Sequence, residues 1–346
     1  MYGIGLLGNC CTHGVGAVHQ FRQHPRTRMV TGYEKNPRRA EELKDAMDSE
    51  LADSYRAVAS NPNVQILVVT CDPCDKLELV ELAAEAGKAV FINKPLCHTP
   101  SAARQLVEVI RKANIPAVFD APMIKFLPAF HKLMQEVRAG RYGEVVSYFH
   151  SFGMTIAHDF PIVDQWPERF DHPRKSGGGE MTNMGCYAID YALHVLGTPQ
   201  RVEARWQKFW EPYRKADVEN FGQILLDYDR FWGVLSVGKQ MVQTERGQRN
   251  ALTIEFENRT IVLAMDSGFI LVNGHPQPLE EYLCAHHCDS AIDQLLRCIE
   301  EGQRRRATSK PQPRAWKCCA PPTCQSWKIG RFRYPSKNRG IHSLSE

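Results

Sequence analysis

The 346-residue sequence contains no run of the roughly 20 apolar residues that a membrane-spanning helix requires. It also lacks the basic start and cleavage site of a secretion signal, because the N-terminus runs directly into the apolar segment 2–7. Twelve cysteines are scattered over the whole length, unlike the dense framework of a small disulfide-stabilised protein. Internal repeats and low-complexity segments are absent as well. These absences exclude membrane, small secreted and disordered classes, and they predict a cytoplasmic protein with reduced thiols.

The charge is unevenly distributed along the chain. The first 302 residues contain 38 acidic and 32 basic side chains, whereas residues 303–346 contain 11 Lys or Arg and one acid. An acidic body repels phosphate, so nucleic-acid binding is not expected. In the basic tail, the stretch 310–324 shows no hydrophobic periodicity. One hypothesis is a local shift of the reading frame, because translation of this stretch in a shifted frame gives an amphipathic helical pattern. A genuine disordered extension that binds an acidic partner is the alternative.

Short apolar runs alternate with helical patterns over residues 1–120. This alternation predicts an α/β domain of the Rossmann type, with a parallel sheet covered by helices on both faces. The predicted strands are Tyr2–Leu7, Arg28–Tyr33, Val64–Thr70, Ala89–Ile92 and Pro116–Phe119. The predicted helices are Val15–His24, Pro37–Met47, Lys76–Ala86 and Pro100–Ala113.

Residues 121–302 follow a different rhythm, which predicts an α+β domain built on an open, mainly antiparallel sheet. Its predicted strands are Glu144–Phe152, Arg201–Trp210, Asn220–Tyr228, Phe231–Gly238, Ala251–Phe256, Arg259–Met265 and Phe269–Val272. Its predicted helices are Pro128–Ala139, Asn183–Leu196 and Ser290–Glu301. The sequence therefore divides into two domains, 1–120 and 121–302, and the basic tail 303–346.

The loop between the first strand and the first helix is rich in glycine. Its sequence is Gly8-Asn9-Cys10-Cys11-Thr12-His13-Gly14-Val15-Gly16. Glycine there lets the backbone approach a pyrophosphate, whose charge is favourable at a helix N-terminus. The spacing departs from G-x-G-x-x-G, and an ordinary strand–helix turn is the alternative interpretation. The candidate contacts to a dinucleotide in this loop are Gly8, Asn9, Cys10, Thr12, His13 and Gly14.

Glu34 ends the second predicted strand, 26 residues after Gly8. A carboxylate at this position would accept hydrogen bonds from both ribose hydroxyls of an adenosine. The same charge would repel a 2′-phosphate and so favours NAD, although Lys35, Arg38 and Arg39 lie close enough to soften that preference. A solvated loop acid is the alternative interpretation of Glu34.

Two further motifs lie where α/β proteins bind ligands. Lys94 and Pro95 follow the fourth strand, at the carboxyl edge of the predicted parallel sheet. Gly177-Gly178-Gly179 leads into a helix on which Asn183 and Tyr187 lie one turn apart on one face. Structural roles are the alternatives, namely a surface lysine after a strand and a helix tyrosine packed against the sheet.

In these motifs the sequence resembles the Gfo/Idh/MocA oxidoreductases (the glucose–fructose oxidoreductase, inositol dehydrogenase and rhizopine catabolism family) over residues 2–302. The resemblance is carried by the N-terminal dinucleotide fold, by Ala86-Gly87-Lys88 before Lys94-Pro95, and by Gly177-Gly178-Gly179 before Gly185 and Asp190. It implies an NAD(P)-dependent enzyme that oxidises a hydroxyl of a sugar, cyclitol or related alcohol, with NAD as the coenzyme and NADP as the alternative. It also implies a homodimer or homotetramer formed through the open sheet face of the second domain.

The sequence departs from the family pattern at several positions. Asn93-Lys94-Pro95 replaces Glu-Lys-Pro, so the acid is lost and the lysine is kept. Asn183-Met184-Gly185-Cys186-Tyr187 replaces Asp-x-Gly-x-His, although relatives such as the dihydrodiol dehydrogenases have a tyrosine where Tyr187 lies. Lys76 occupies a position often held by histidine, and Lys125 occupies one often held by arginine.

The resemblance and the residues together predict that Lys94, Tyr187 and Asn183 are catalytic. Tyrosine has an ordinary pKa of about 10, and a neighbouring ammonium favours its phenolate form. Tyr187 would accept the hydroxyl proton, Lys94 would stabilise the alkoxide and anchor the nicotinamide, and Asn183 would orient the substrate. The substrate would contact these three residues and Lys125. Further coenzyme contacts are predicted for Lys35, Thr70, Lys94 and Pro95.

No metal site is predicted. The Cys71-x-x-Cys74 pair lacks a partner pair at the spacing of a zinc ribbon. The group Cys284, His286, His287 and Cys288 is packed too tightly along the chain to surround one tetrahedral ion. Three histidines lie before or within the predicted substrate loop, and the sequence does not choose among them as substrate contacts: His150, His158 and His172.

Two other functions stay open. A regulatory protein that binds a dinucleotide without turnover would be compatible with the replacement of two family acids. Hydrolysis or epimerisation that uses tightly held NAD, through transient oxidation, is the second alternative. The identity of the substrate is not predicted, because specificity lies in a loop and in strand-face residues that no motif defines.

Overall fold

A computed structural model describes residues 1–10, 12–120, 128–155, 173–240, 248–264, 269–277 and 290–308. The described residues form two β-sheets flanked by helices. In this part of the chain, no helix combines the length and the apolar composition needed to cross a membrane. The first sheet is parallel and the second is mainly antiparallel, which confirms the predicted fold class.

The N-terminal sheet is built from five strands: β1 (Tyr2–Leu7), β2 (Thr27–Tyr33), β3 (Ile66–Val69), β4 (Ala89–Asn93) and β5 (Ala117–Asp120). They are parallel and lie in the order β2-β1-β3-β4-β5. The helices around them are α1 (Thr12–Gln23), α2 (Pro37–Met47), α3 (Tyr55–Ser60), α4 (Lys76–Glu85) and α5 (Pro100–Ala113). Strands β3 and β4 are buried along their whole length, as expected for parallel strands covered on both faces.

Polar caps and prolines determine where two of these helices begin. The side chain of Asn36 accepts a hydrogen bond from the backbone amide of Arg39, and a proline occupies the first turn of α2. Thr99 caps α5 in the same way and is followed by Pro100. Both residue types are favoured at these positions. The caps hold the residues after β2 and β4 at the carboxyl edge of the sheet, where Glu34 and Lys94 lie.

The second sheet contains β6 (Val145–Thr155), β7 (Arg201–Gln207), β8 (Phe221–Asp227), β9 (Trp232–Gln240), β10 (Gln248–Phe256), β11 (Arg259–Ala264), β12 (Phe269–Val272) and β13 (His275–Pro276). Their order is β13-β12-β11-β10-β6-β9-β8-β7, with β6 and β9 parallel and the other neighbours antiparallel. The accompanying helices are α6 (Pro128–Arg138), α7 (Pro173–Ser176), α8 (Glu180–Asn183), α9 (Gly185–Leu196), α10 (Glu211–Lys215) and α11 (Ala291–Thr308).

The two faces of the second sheet have different surroundings. One face packs against α6 and α9 and forms a core that includes Phe130, Tyr191 and Leu235. On the opposite face, strand register aligns one row of mostly apolar side chains, which we call the outer row: Leu225, Val234, Phe149, Thr253, Val262 and Leu271. Phe149 in this row is 41% exposed, so this face presents apolar surface in the single chain.

Helix α11 packs against the first sheet, although the sequence places it within the second domain. Its apolar positions follow the i, i+3, i+4 spacing of one helical face and join the core around β1 and β3: Ala291, Ile292, Leu295, Leu296 and Ile299. The helix ends at Thr308, five residues beyond the predicted start of the basic tail at 303. The division at 120 stays a prediction, and the segment 310–324 with its two hypotheses lies outside the described residues.

Candidate active site

The loop after β1 is held tightly against the neighbouring strands. Gly8 has a φ of +90°, and a Cβ built on it would lie 2.5 Å from the Cα of Cys71, so only glycine fits without displacement. Its amide donates to the carbonyl of Tyr33 over 2.9 Å, and the amide of Cys10 donates to the carbonyl of Thr70 over 2.9 Å. The Thr70 hydroxyl donates to the carbonyl of Gly8. The loop backbone is therefore fixed before any ligand binds.

Helix α1 approaches this loop closely at a second glycine. A Cβ on Gly14 would lie 2.2 Å from Oδ1 of Asn9, so a larger residue would collide with the loop. The side chain of Asn9 is buried, and its Nδ2 donates to the carbonyl of Arg39 over 3.1 Å. Backbone exposed by glycine at the N-terminus of a helix is what a pyrophosphate requires. His13 lies in the first turn of α1, while the side chain of Thr12 lies outside the described residues.

Glu34 is 4% exposed and lies at the end of β2. Its carboxylate accepts hydrogen bonds from the backbone amide of Asn9 over 2.5 Å and from that of Asn36 over 2.8 Å. The acid is therefore not the solvated loop residue of the alternative interpretation. Its carboxylate connects the loop after β1 to the start of α2. The contact of Glu34 with a ribose stays a prediction.

Two of the cations near Glu34 form ion pairs with other acids. Arg39 donates to both carboxylate oxygens of Asp72, over 3.2 and 3.3 Å. Burial lowers the pKa of Arg39, but the hydrogen bonds and charge of Asp72 outweigh burial and raise it above the ordinary value. Lys35 pairs with Asp75. These pairs occupy two of the three charges, Lys35 and Arg39, that are expected to soften the preference for NAD.

Buried donors surround the same position. Among the described residues, Nε of Arg39 and the hydroxyl of Tyr55 are buried without a hydrogen-bond partner. Burial, followed by the charge of Glu34, raises the pKa of Tyr55, so its phenol stays protonated and able to donate. Buried polar groups normally have partners. Together with the glycine cradle, these atoms fit a dinucleotide at the carboxyl edge of the first sheet.

At the end of β4, the side chain of Lys76 binds the backbone on both sides of the predicted site residue Lys94. Lys76 is 1% exposed, and its ammonium donates to the backbone carbonyls of Asn93 and Pro95. These two residues flank Lys94, which is joined to Pro95 by a cis peptide bond. The family histidine is thus replaced by a lysine that holds the backbone on both sides of Lys94.

Three predicted residues, which come from two distant parts of the sequence, meet at this edge. Lys94 is 4% exposed, and its Nζ lies 5.4 Å from the centroid of the Tyr187 ring. The same ammonium donates to the side-chain oxygen of Asn183 and, over 3.2 Å, to its backbone carbonyl. Phe152 of β6 stacks on Tyr187 with ring centroids 4.9 Å apart. The structure therefore brings Lys94, Asn183 and Tyr187 together, and their roles in a reaction stay predictions.

Two buried side chains near Asn183 are not among the site residues predicted from the sequence. Lys239 of β9 and Tyr213 of α10 both contact Glu180, which lies one helical turn before Asn183. The signal for Lys239 is its position, because it continues the inward alternation of Leu235 and Val237 along β9, where an apolar residue is expected. No local pattern indicates Tyr213.

Of the three candidate histidines, His150 is described, and it lies in the core of the second domain. It is fully buried, and its Nε2 lies 2.9 Å from Oδ1 of Asn250. Burial lowers its pKa to about 4. His150 is thus a neutral core residue shielded from a substrate. His158, His172 and Lys125 lie outside the described residues.

The thiols of the cysteine pair after β3 are held in their protonated form. Burial raises the pKa of Cys71 well above its ordinary value, and burial together with Asp75 raises that of Cys74 to about 11. Both thiols therefore stay protonated near neutral pH and lack the thiolate that a reactive cysteine requires. Within the described ranges, the structure brings together no group of three or more His, Cys, Asp or Glu side chains that could hold a metal ion. The group Cys284, His286, His287 and Cys288 lies outside them.

Comparison with protein families identifies both halves of the chain. Residues 4–119 match the oxidoreductase family with an NAD-binding Rossmann fold. Residues 130–262 match the GFO/IDH/MocA C-terminal domain. Together the two matches span more than half of the chain and include the residues of both sheets that meet at the candidate site.

Several similar curated proteins are dehydrogenases. The trans-1,2-dihydrobenzene-1,2-diol dehydrogenase of Mus musculus is 25% identical over 193 residues, which are 55% of this chain and 54% of that protein. The enzyme of the same name from Macaca fascicularis is 24% identical over 228 residues, 65% of this chain and 63% of that protein. The chain thus spans less than two thirds of the length of these relatives.

Solved structures share the fold at low identity. A levoglucosan dehydrogenase in complex with NADH and levoglucosan has a TM-score of 0.68 and 18% identity, covering 87% of this chain and 90% of that chain. A putative oxidoreductase from Erwinia carotovora atroseptica has a TM-score of 0.70 and 16% identity, covering 87% of this chain and 92% of that chain.

Proposed function

The chain belongs to the Gfo/Idh/MocA family of oxidoreductases, and from this premise we propose that it is an NAD-dependent dehydrogenase of a sugar, cyclitol or related alcohol. The observation that carries the proposal is the meeting of Lys94 and Tyr187 at the carboxyl edge of the parallel sheet, with Nζ 5.4 Å from the ring centroid. A cation beside a phenol at the edge where α/β proteins bind ligands is suited to moving the proton of a hydroxyl group.

The N-terminal domain is an NAD-binding Rossmann domain. In the proposal, the backbone at Gly8 and Gly14 receives the pyrophosphate, and Glu34 accepts the ribose hydroxyls. Arg39 pairs with Asp72 and Lys35 pairs with Asp75, so these two cations are neutralised by other acids and Glu34 keeps the negative charge that favours NAD over NADP. When bound, the coenzyme supplies the hydride acceptor, and the remaining steps fall to the protein's own side chains.

The proposed roles follow from the contacts. Oxidation of an alcohol removes a hydride from carbon and a proton from oxygen, and Tyr187 in its phenolate form accepts that proton. The Lys94 ammonium favours the phenolate and stabilises negative charge on the alcohol oxygen. Asn183 has no charge and would hold the substrate by hydrogen bonds. General base assistance of this kind accelerates reactions by about 10² to 10⁴.

A comparison of two tyrosine variants tests the proposal. Tyr187→Phe should lower kcat by at least about 10² while leaving the dissociation constant of NAD within a few-fold of the wild type. The matched control is Tyr228→Phe, because Tyr228 donates to the carbonyl of Gly197 in the second domain and lies outside the candidate site. Activity is followed as absorbance of reduced nicotinamide with a panel of polyols, sugars and diols. Equal turnover of Tyr187→Phe and wild type would remove Tyr187 from the role.

One observation favours a second candidate, a dinucleotide-binding regulatory protein without turnover. Asparagine stands at positions 93 and 183, where the family pattern noted above has acids. Tight NAD binding with no reduction of the coenzyme by any member of the substrate panel would select this candidate. An epimerase or hydrolase with tightly held NAD would instead convert substrate without net accumulation of reduced coenzyme, which product analysis of the same reactions detects.

Assembly and location are further parts of the proposal. The outer row leaves apolar side chains such as Phe149 exposed on the open face of the second sheet, and we expect a second copy of the chain to cover them in a homodimer or homotetramer. A cytoplasmic location is supported by the free thiols of Cys71, Cys74 and Cys97.

A further inference from the structure

A buried group of charged and polar side chains lies on the far side of Asn183 from Lys94. Glu180 and Tyr213 are fully buried, and Lys239 is 1% exposed. Glu180 belongs to the short helix α8, Tyr213 to α10 and Lys239 to β9. Charges are rarely buried to this degree, because desolvation costs several kcal/mol per ion unless partners compensate it. Their position next to the candidate site therefore requires an explanation.

The contacts form one continuous chain that ends at Lys94. The hydroxyl of Tyr213 donates to Oε1 of Glu180 over 2.6 Å, and Nζ of Lys239 lies 3.4 Å from the same oxygen. The other oxygen of Glu180, Oε2, accepts from Nδ2 of Asn183 over 2.8 Å. The side-chain oxygen of Asn183 in turn accepts from the Lys94 ammonium.

The chemistry of an amide makes this arrangement directional. The asparagine side chain has a donor end and an acceptor end. With its nitrogen facing a carboxylate and its oxygen facing an ammonium, both contacts are favourable. Turning the amide over would place NH₂ against Lys94 and the oxygen against Glu180, and both contacts would become repulsive. Glu180 therefore selects one orientation of Asn183, and this orientation provides the acceptor for Lys94.

The backbone around Glu180 is also held in place. Its amide donates to the carbonyl of Glu219 over 2.9 Å. The carboxylate of Glu219 accepts from the amides of Gly179 and Met181, at 2.9 and 3.1 Å. The glycine-rich entrance to α8 thus fixes the carboxylate of Glu180 from the backbone side, while Tyr213 and Lys239 fix it from the side-chain side.

We propose that Glu180, held by Lys239 and Tyr213, is a positioning residue that orients the Asn183 amide and thereby places the Lys94 ammonium beside Tyr187. This inference rests on the proposed function, and it assigns a role to the acid that lies one helical turn before the position where the family pattern has its aspartate. Relative to the family pattern, the negative charge lies one helical turn earlier, at Glu180. The neutral amide of Asn183 transmits the effect of this charge to Lys94.

The first experiment measures Glu180→Gln in the full-length protein. Misplacement of a reacting group by about 1 Å can cost about 10² in rate, so we expect kcat to fall by about that factor while KM and NAD affinity change little. The second readout needs neither substrate nor coenzyme. Carbamylation of Lys94 by cyanate is followed by peptide mass spectrometry across pH, and loss of the Glu180 charge should move its midpoint to lower pH.

Matched variants separate positioning from general damage. Glu136→Gln alters a buried acid of α6 that contacts Arg141 and Tyr142 instead of the group around Glu180, so it should lower the thermal midpoint but leave the carbamylation midpoint of Lys94 unchanged. The double variant Glu180→Gln/Asn183→Asp returns a carboxylate to contact with Lys94, and we expect it to restore the carbamylation midpoint. Should Glu180→Gln alone fail to fold because Lys239 stays buried, Glu180→Gln/Lys239→Met replaces it in both assays.

The outcomes are distinguishable. An unchanged carbamylation midpoint in a folded Glu180→Gln protein, or an Asn183→Asp change that fails to restore it, would overturn the inference. A wild-type protein that turns over no substrate would overturn the proposed dehydrogenase function, while the carbamylation data would still report whether Glu180 acts on Lys94.

Discussion

The buried imidazole of His150 makes the second domain sensitive to moderate acidity. In the folded protein burial lowers the pKa of His150 to about 4, whereas an exposed histidine in the unfolded chain has a pKa of about 6.5. Between these two values the unfolded chain binds more protons than the folded one, so the free energy of unfolding rises with pH in this window. The stability is therefore present above pH 6.5 and is lost as the pH falls toward 4.

The size of the effect follows from the two pKa values. A shift of 2.5 units corresponds to about 3 kcal/mol when the pH lies below both values. At pH 5 the unfolded imidazole is mostly protonated and the folded one mostly neutral, which gives a loss of about 2 kcal/mol relative to neutral pH. We expect His150→Gln to remove this loss, because glutamine has no charge to gain and its amide can donate to Asn250.

Urea unfolding at several pH values measures the effect. Tryptophan fluorescence is a suitable signal, because Trp206, Trp210 and Trp232 all lie in the second domain. The matched control is His275→Gln, since His275 is exposed on β13 and should leave the pH profile of the wild type unchanged. If the wild type and His150→Gln lose the same stability between pH 7.5 and 5, the assignment of His150 as a neutral core residue is wrong.

Three further predictions concern the coenzyme, the assembly and the strand end. Glu34→Ala should weaken NAD binding by about 10- to 100-fold in a fluorescence titration, because a charged acceptor is lost. It should also reduce the ratio of the dissociation constant for NADP to that for NAD. Unchanged NAD affinity would contradict the ribose contact. Phe149→Asp places a charge in the outer row and should reduce the mass in light scattering to that of one chain. Lys76→Met should lower the free energy of unfolding by about 2 kcal/mol in urea, because the carbonyls of Asn93 and Pro95 lose a charged donor.

Local patterns predict much of the fold because most element boundaries depend on nearby residues. The strand Tyr2–Leu7 and the helices Pro37–Met47 and Pro100–Ala113 have the predicted bounds, since apolar runs, caps and prolines are local signals. The strand that starts at Arg201 ends at Gln207, before the predicted Trp210. There the side chain of Asn220 accepts from the amide of Phe209 over 3.0 Å and replaces a strand partner. Asn220 lies directly before β8, 11 residues further along the chain, so the local pattern around Phe209 does not predict this contact.

The candidate site shows the same difference between local sequence signals and contacts from other elements. Lys94 follows an apolar strand, as the sequence predicts. Asn183 and Tyr187 are predicted on one helix, but α8 ends at Asn183 and α9 begins at Gly185, so the structure places them on two consecutive helices. Their mutual approach depends on how the two sheets are arranged, and only the resemblance to a family indicated it. The environment of Glu180 has no local signal, because Lys239 and Tyr213 reach it from other elements.

The replacement of family acids at positions 93 and 183 gives the site an unusual distribution of buried charge. Three lysines in or next to it are almost completely buried, Lys76 at 1%, Lys94 at 4% and Lys239 at 1% exposure, and Glu180 is a buried acid that contacts Lys239. Burying ammonium groups costs stability unless carbonyls and carboxylates compensate it, and the backbone carbonyls beside Lys94 do so for Lys76. In the proposed reaction, negative charge develops on the alcohol oxygen near Lys94. Fixed positive groups in a site from which water is excluded stabilise such a charge more strongly than mobile solvent does, so the same arrangement that is costly for folding is favourable for alcohol oxidation.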